Sequence, residues 1–296
     1  MAWLKGNLHT HTSASDGDSP AGEVARWYDD HGYDFLAITD HNIRLELAAL
    51  QSELISEGRH LLLLAGEELT SWWEGPDRTH ALHLGAIETA RSLGGATGGT
   101  LVEVLQTMID RVAADGGLAC LNHPNFWDSI TWQDMASLRR LTHYEVYNGH
   151  PLSFNQGTER QPSMDTVWDI LLSMGRRLFG IAVDDAHHFR SWGPDHSNPG
   201  RGWVAVDAEP QPRSIMRALR RGQFYASTGP AIEVTVRRGE LRVGCEDDAR
   251  FEFISQGEVL ETVDAASASH PVPGTEYLRC RVTTSAGTAW TQPVWA

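Results

Sequence analysis

Short apolar runs alternate with longer amphipathic stretches along most of the chain. Leu4–Thr10, Asp34–Thr39, Leu61–Glu67, His80–Ile87, Leu118–His123, His143–Asn148 and Leu178–Asp185 are apolar segments bounded by polar residues, which predicts seven strands. Between most of them, apolar positions recur at helical spacing over Ala21–His31, Leu45–Glu57, Leu101–Asp115, Trp132–Leu141 and Met164–Met174. The first helix carries a start signal, Ser19 as N-cap with Pro20 at the first helical position, and Gly32 stops it. Strand–helix alternation implies an α/β fold around a parallel sheet, and seven such strands fit a closed barrel better than a bundle or sandwich.

Trp203–Val206, a helix near Pro212–Arg220 and Phe224–Ser227 extend this region. After Thr228-Gly229-Pro230 the texture changes. Ile232–Val236, Glu240–Val243, Phe251–Ile254, Tyr277–Thr284 and Thr288–Val294 are short alternating stretches without helical period. The chain is therefore expected to divide into an α/β region, 1–229, and a small antiparallel β domain, 230–296.

Composition narrows the function classes. The net charge is −15 and no Lys/Arg run exceeds a pair, which argues against binding nucleic acid through its backbone. MAWLKGNLHT has no apolar core of signal-peptide length, and Leu61–Ala65 is far too short to span a membrane. Cys120, Cys245 and Cys280 are dispersed without a CxxC and read as reduced core thiols, although Cys245 and Cys280 could pair in principle. A cytoplasmic location is the expectation. No sequence feature specifies an oligomeric state.

Fourteen histidines make their placement informative. His9 and His11 end the first strand two apart, so both point the same way. Asp16 follows in the loop, His41 follows strand two, Glu67 ends strand three, and His80 and His83 flank strand four. His123 ends strand five, Glu145 lies in strand six, and Asp185 and His187 end strand seven. The C-terminal mouth of a barrel is where such folds build active sites. So many imidazoles and carboxylates in one mouth are costly unless a positive charge compensates, and metal ions are the obvious compensation. A set of nitrogens and oxygens without thiolate suits Zn, Mn or Fe. At roughly four ligands per tetrahedral ion, it implies two or three divalent ions.

His9-Thr10-His11…Asp16-Gly17, Thr39-Asp40-His41-Asn42, Gly66-Glu67-Glu68, His80…Leu84-Gly85, Asn122-His123-Pro124 and Asp185-Ala186-His187 together resemble the polymerase-and-histidinol-phosphatase (PHP) family of metal-dependent hydrolases. The resemblance implies a distorted seven-stranded βα barrel of the PHP type and a cluster of up to three ions. It implies that His9, His11 and Asp185 hold one ion, with Glu67 bridging to a second that takes His123 and a strand-four histidine. Asp16, His41 and His187 would hold the third. His80 fits the spacing to Leu84-Gly85 better than His83; they face opposite sides of a strand, so only one should be a ligand. Asp184 then faces away from the mouth. Phe224–Pro230 more loosely resembles a branch of the family that includes carbaryl hydrolase.

The leading expectation is a metal-dependent phosphoesterase acting on a small phosphorylated substrate through metal-activated water. Arg44, Arg190 and Arg201 are candidate phosphate contacts, and His188 and His196 are candidate general acids. Glu145 could orient a ligand histidine. Trp72, Trp73, Trp127 and Trp192 either pack loops or form an aromatic wall. The alternatives are a carbamate or carboxylic ester hydrolase using the same cluster, an exonuclease, or a non-enzymatic module.

Overall fold

A computed structural model describes residues 3–274 and 276–296. Strands β1 (Trp3–Asn7), β2 (Phe35–Ile38), β3 (Leu62–Glu74), β4 (Thr79–Ile87), β5 (Leu118–Leu121), β6 (His143–Asn148) and β7 (Phe179–Val183) form the first part. Helices α1 (Ala21–Asp30), α2 (Ala48–Ser56), α3 (Leu101–Ala114), α4 (Trp132–Ser137) and α5 (Met164–Ser173) lie between them. Helix α3 shows why these segments fold as they do. Thr100 and Glu103 form a reciprocal capping box, and Leu101, Val104, Leu105, Met108, Ile109 and Val112 make one buried stripe. Ser19 does not cap α1: Pro20 takes the cap position and the Ser19 hydroxyl donates to Asp18 (2.8 Å).

Strands β1, β2 and β3 are parallel, as are β5, β6 and β7. Strand β4 runs antiparallel to both β3 and β5, because a hairpin rather than a helix joins it to β3. On its other side β1 pairs antiparallel with β8 (Trp203–Asp207). That leaves β7 with β6 as its ladder partner among the described residues. The seven strands therefore do not close as a regular ladder. Beyond the strand ends, Thr10 bridges Ala186, the His11 amide donates to Ala186 O (2.9 Å) and the Asp185 amide donates to His9 O (3.0 Å). At the open edge of β7, the Gln292 side-chain amide accepts from Gly180 N (2.9 Å) and donates to Gly180 O (2.8 Å), in place of a strand.

After β8 come α6 (Pro212–Arg220), β9 (Phe224–Ser227), β10 (Ile232–Arg237), β11 (Glu240–Ser255), β12 (Glu258–Pro271), β13 (Tyr277–Thr284), β14 (Gly287–Thr291) and β15 (Val294–Trp295). All their pairings are antiparallel, and β9 pairs with β14, so one sheet runs across residue 230 without interruption. The sequence reading missed β12, which pairs along β11 as an outer strand; its Val259 and Leu260 are exposed, so no buried face marks it. Cys120, Cys245 and Cys280 are buried free thiols. A buried ion-pair network joins the two regions. Arg279 of β13 donates to both oxygens of Asp169 in α5 (2.8 and 2.5 Å) and lies 3.0 Å from Asp165. Tyr277 OH also donates to Asp169 (2.8 Å). No helix of the described residues is long and apolar enough to cross a membrane.

Candidate metal centre

The site is built where β1 and β7 meet. Asn7 ends β1; its side chain accepts the His9 amide (2.8 Å) and donates to Gly202 O (3.2 Å), which fixes the turn into His9-Thr10-His11. Glu145, from β6, sits 2.7 Å from His9 Nδ1. That carboxylate holds a proton on Nδ1 and leaves the Nε2 lone pair aimed inward. His11 Nε2 is 3.1 Å from His9 Nε2, and Asp185 Oδ1 is 3.2 Å from each. With metal–nitrogen bonds of about 2.0–2.1 Å, the edge of a tetrahedral ion is about 3.3 Å. The three atoms thus have the separation of ligands sharing an ion. Asp185 Oδ1 and both ring nitrogens of His83 are buried without a hydrogen-bond partner, as expected of atoms arranged for a cation.

Glu68 occupies the centre, fully buried. Its Oε1 lies 3.1 Å from His123 Nε2, 3.2 Å from His83 Nδ1 and 3.3 Å from His9 Nε2. Its Oε2 is 2.8 Å from His41 Nδ1, and Asn122 Nδ2 donates to Oε1 (2.9 Å). Two sequence expectations are corrected here. Glu67 points to the opposite face of β3, where it accepts from Ser92 Oγ (2.8 Å) and Leu93 N (2.5 Å). Neighbours on a strand face opposite sides, and the bridge between His41 and Glu68 sets which one faces the cluster. His80 likewise gives way to His83. On the antiparallel β4, His83 pairs with Thr70, whereas His80 pairs with Trp73 nearer the hairpin tip and bonds Ser129 O (2.8 Å).

Asp16 forms the solvent edge. It lies 3.4 Å from His187 Nε2, 3.5 Å from His11 Nδ1 and 3.4 Å from His41 Nε2. Asp40 holds this loop by accepting from Thr12 N (2.8 Å), Thr12 Oγ1 (2.7 Å) and Ser15 Oγ (2.6 Å). Four overlapping groups result: His11, Asp16, His41 and His187; His9, His11 and Asp185; His9, Glu68 and His123; and His41, Glu68 and His83. His123 (φ 24°) and Asp185 (φ 50°) hold positive backbone φ angles, uncommon outside glycine. The amide of His123 is pinned by Glu145 (2.6 Å), so the strain is held by the same carboxylate that orients His9.

Electrostatics show a site that demands positive charge. Burial alone would raise the Glu68 and Asp185 carboxyls, but the imidazoles facing them hold both well below the usual carboxylate range. Burial would lower His9, His123 and His187, yet Asp185, Glu68 and Asp16 respectively push them up. His41, opposed by burial in the same way, is pushed up to about 10 by Asp16 and Glu68. His11 falls to about 4 through burial and the nearby His187. Divalent ions meet that demand, and the donor set of imidazole and carboxylate is the one such ions take.

The other candidates lie elsewhere. Arg44 donates to Thr89 O (2.9 Å) and pairs with Glu46 (2.8 Å). Arg201 clamps Gly149 O and Gly193 O, both at 3.0 Å, and Arg190 pairs with Glu23 (2.9 Å). All three guanidiniums are thus engaged by protein oxygens. His188 and His196 pack against each other on the 188–198 loop, ring centres 4.8 Å apart, and neither joins the cluster. Asp184 faces away, accepting from Tyr28 OH (2.8 Å), Arg201 N (2.6 Å) and Gly202 N (2.9 Å). The sequence reading missed His150. Its ring centre is 5.8 Å from His187, and burial holds it down at about 4, against the pull of Asp185. A signal existed: Gly149-His150-Pro151 follows β6 as Asn122-His123-Pro124 follows β5.

No family model and no curated protein matches the chain. Among solved structures, a two-domain protein from Bacteroides vulgatus, described as containing a PHP-like metal-dependent phosphoesterase, aligns with a TM-score of 0.55 at 17% identity. The alignment covers 99% of this chain and 95% of that one. A protein from Bifidobacterium adolescentis designated a metal-dependent phosphoesterase gives 0.47 at 14% identity, over 65% of this chain and 89% of that one. An amidohydrolase from Chromobacterium violaceum with bound sulfate gives 0.44 at 15% identity, over 66% and 93%. The first likeness extends over both regions and shows a PHP-like fold.

Proposed function

We propose that this chain, with its PHP-like fold, is a metal-dependent phosphoesterase acting on small molecules. One observation carries the reading: His9, His11, Asp16, His41, Glu68, His83, His123, Asp185 and His187 converge from β1, β2, β3, β4, β5 and β7 or the loops that follow them. His9, His11 and Asp185 would hold one ion, Glu68 would serve another with His9 and His123 or with His41 and His83, and His11, Asp16, His41 and His187 would serve a further one. Zinc, manganese and iron all suit these donors. Such ions, when bound, polarise a phosphoryl oxygen and lower the pKa of water.

The chain's own groups prepare the site. Glu145 and Asn148 fix the inward geometry: Glu145 orients His9, and Asn148 Nδ2 donates to Glu145 (2.8 Å) and Asp185 (3.1 Å). His150 Nδ1 accepts the Leu152 amide (3.1 Å), so its Nε2 carries the proton and can donate to a substrate oxygen. Arg44 and Arg201 are engaged by backbone oxygens, so bound ions would supply much of the positive charge a phosphoryl group needs.

Purified protein loaded separately with zinc, manganese and iron(II) tests the reading. Metal content and turnover are measured on phosphomonoesters, phosphodiesters, carboxylic esters and carbamates, with His9→Ala as control. Phosphoester turnover that disappears together with metal in His9→Ala is expected. Inert phosphoesters beside active carbamates or carboxylic esters would overturn it and favour the carbaryl-hydrolase resemblance of Phe224–Pro230.

A further inference from the structure

The wall beside His123 is aromatic, and it is held in place at a cost. Phe126 has its ring centre 5.2 Å from His123, 5.7 Å from His150 and 6.3 Å from His83. Trp127 stacks on Phe126 at 4.8 Å with planes 24° apart, and remains 51% exposed. The three rings form a series leading outward from the cluster: buried His123, half-buried Phe126, exposed Trp127. Trp127 (φ 52°) and Asp128 (φ 51°) both occupy the left-handed region, which a bulky residue enters only under constraint. The constraint is visible. Arg78, from the β3–β4 hairpin, donates to Trp127 O (2.9 Å) and to Asp128 O, and Thr158 Oγ1 donates to Asp128 Oδ1 (2.6 Å). An exposed tryptophan needs no such scaffold to cover a core, because it covers none. Arg78 is also spent on those carbonyls.

We infer that Phe126 and Trp127 form a subsite for a flat, uncharged aromatic group on the leaving side of the ester. The inference rests on the phosphoester reading and deepens it. A substrate carrying a second phosphate there would meet rings and an engaged guanidinium. An aryl or arylmethyl group would stack on Trp127 while its phosphoryl end reaches the cluster.

The test compares benzyl phosphate with ethyl phosphate, whose leaving alkoxides are of similar basicity, on metal-loaded protein. Wild type should favour the benzyl ester by about three- to tenfold in kcat/KM, the range a single aromatic stack supplies, chiefly through KM. Trp127→Ala should bring the ratio close to one, and Trp127→Phe should keep most of it. Calorimetry with benzylphosphonate and ethylphosphonate reads the same preference without turnover. Equal use and equal binding of the two, or a preference that survives both Trp127→Ala and Phe126→Leu, would overturn the subsite. Should neither ester be hydrolysed, the phosphoesterase reading falls, and the phosphonate ratio alone decides: a Trp127-dependent preference sustains the subsite, and a ratio of one overturns it.

Discussion

Changing Glu68 to glutamine, beside the same change at Glu67, separates two neighbours with the same chemistry. Glu68 faces His9, His41, His83 and His123 at 2.8–3.3 Å and belongs to two of the four candidate ligand groups. Glutamine keeps its shape and removes its charge. Losing a partner that merely orients a ligand costs about 10–100-fold in metal affinity. Glu68→Gln should therefore cost at least about 100-fold, or about 2.7 kcal/mol. Glu67 instead anchors the 92–94 loop through Ser92 Oγ and the Leu93 amide. Glu67→Gln turns one acceptor there into a donor, at about 1–3 kcal/mol. For a chain of this size that lowers Tm by about 2–5 °C and leaves metal affinity intact. Elemental analysis after equilibration in a buffered zinc series, with calorimetric melting of the same samples, reads both quantities. If Glu67→Gln loses metal while Glu68→Gln keeps its full content, the facing of β3 described above is wrong.

Three further outcomes follow from the same geometry. His83→Ala should lower metal content while His80→Ala leaves it unchanged, measured by the same elemental analysis; the reverse would show that β4 presents its other face. Arg279→Met should destabilise the chain by about 3–5 kcal/mol, because it strands the Asp169 and Asp165 carboxylates against a fully buried position; the urea midpoint reports it, and no shift would refute the network's role. Gly6→Ala should cost about 1–3 kcal/mol or more in thermal unfolding, since a Cβ there would lie 2.2 Å from the Phe35 ring, and a neutral result would mean that the ring moves aside freely.

Much of the cluster was legible because strand ends are legible. His9, His11, Asp16, His41, His123, Asp185 and His187 follow apolar runs, and the structure brings them together. What was illegible has physical reasons. Both Glu67 and Glu68 are buried, so polarity could not say which faced inward; only the register beside His41 decides. His80 is favoured by its spacing to Leu84-Gly85, but spacing carries no strand direction, and on the antiparallel β4 it is His83, opposite Thr70, that reaches the cluster. The basic candidates failed for a related reason. A guanidinium's position in sequence says nothing of the carbonyls that will claim it, as Gly149 O and Gly193 O claim Arg201.

The Gln292 amide on the edge of β7 has a consequence for how the molecule is made. It joins residues 112 positions apart, and Arg279 reaches back 110 positions to Asp169. Contacts so distant along the chain slow folding, because long loops must close before any reward is gained. During synthesis the strands that carry the histidines emerge well before residues 277–292. Until then the edges of β7 and β9 stand open, each able to pair with another chain. The ribosome-bound intermediate is thus the aggregation-prone species, and chaperone demand should peak after β9 has emerged and subside only once β14 and Gln292 are in place.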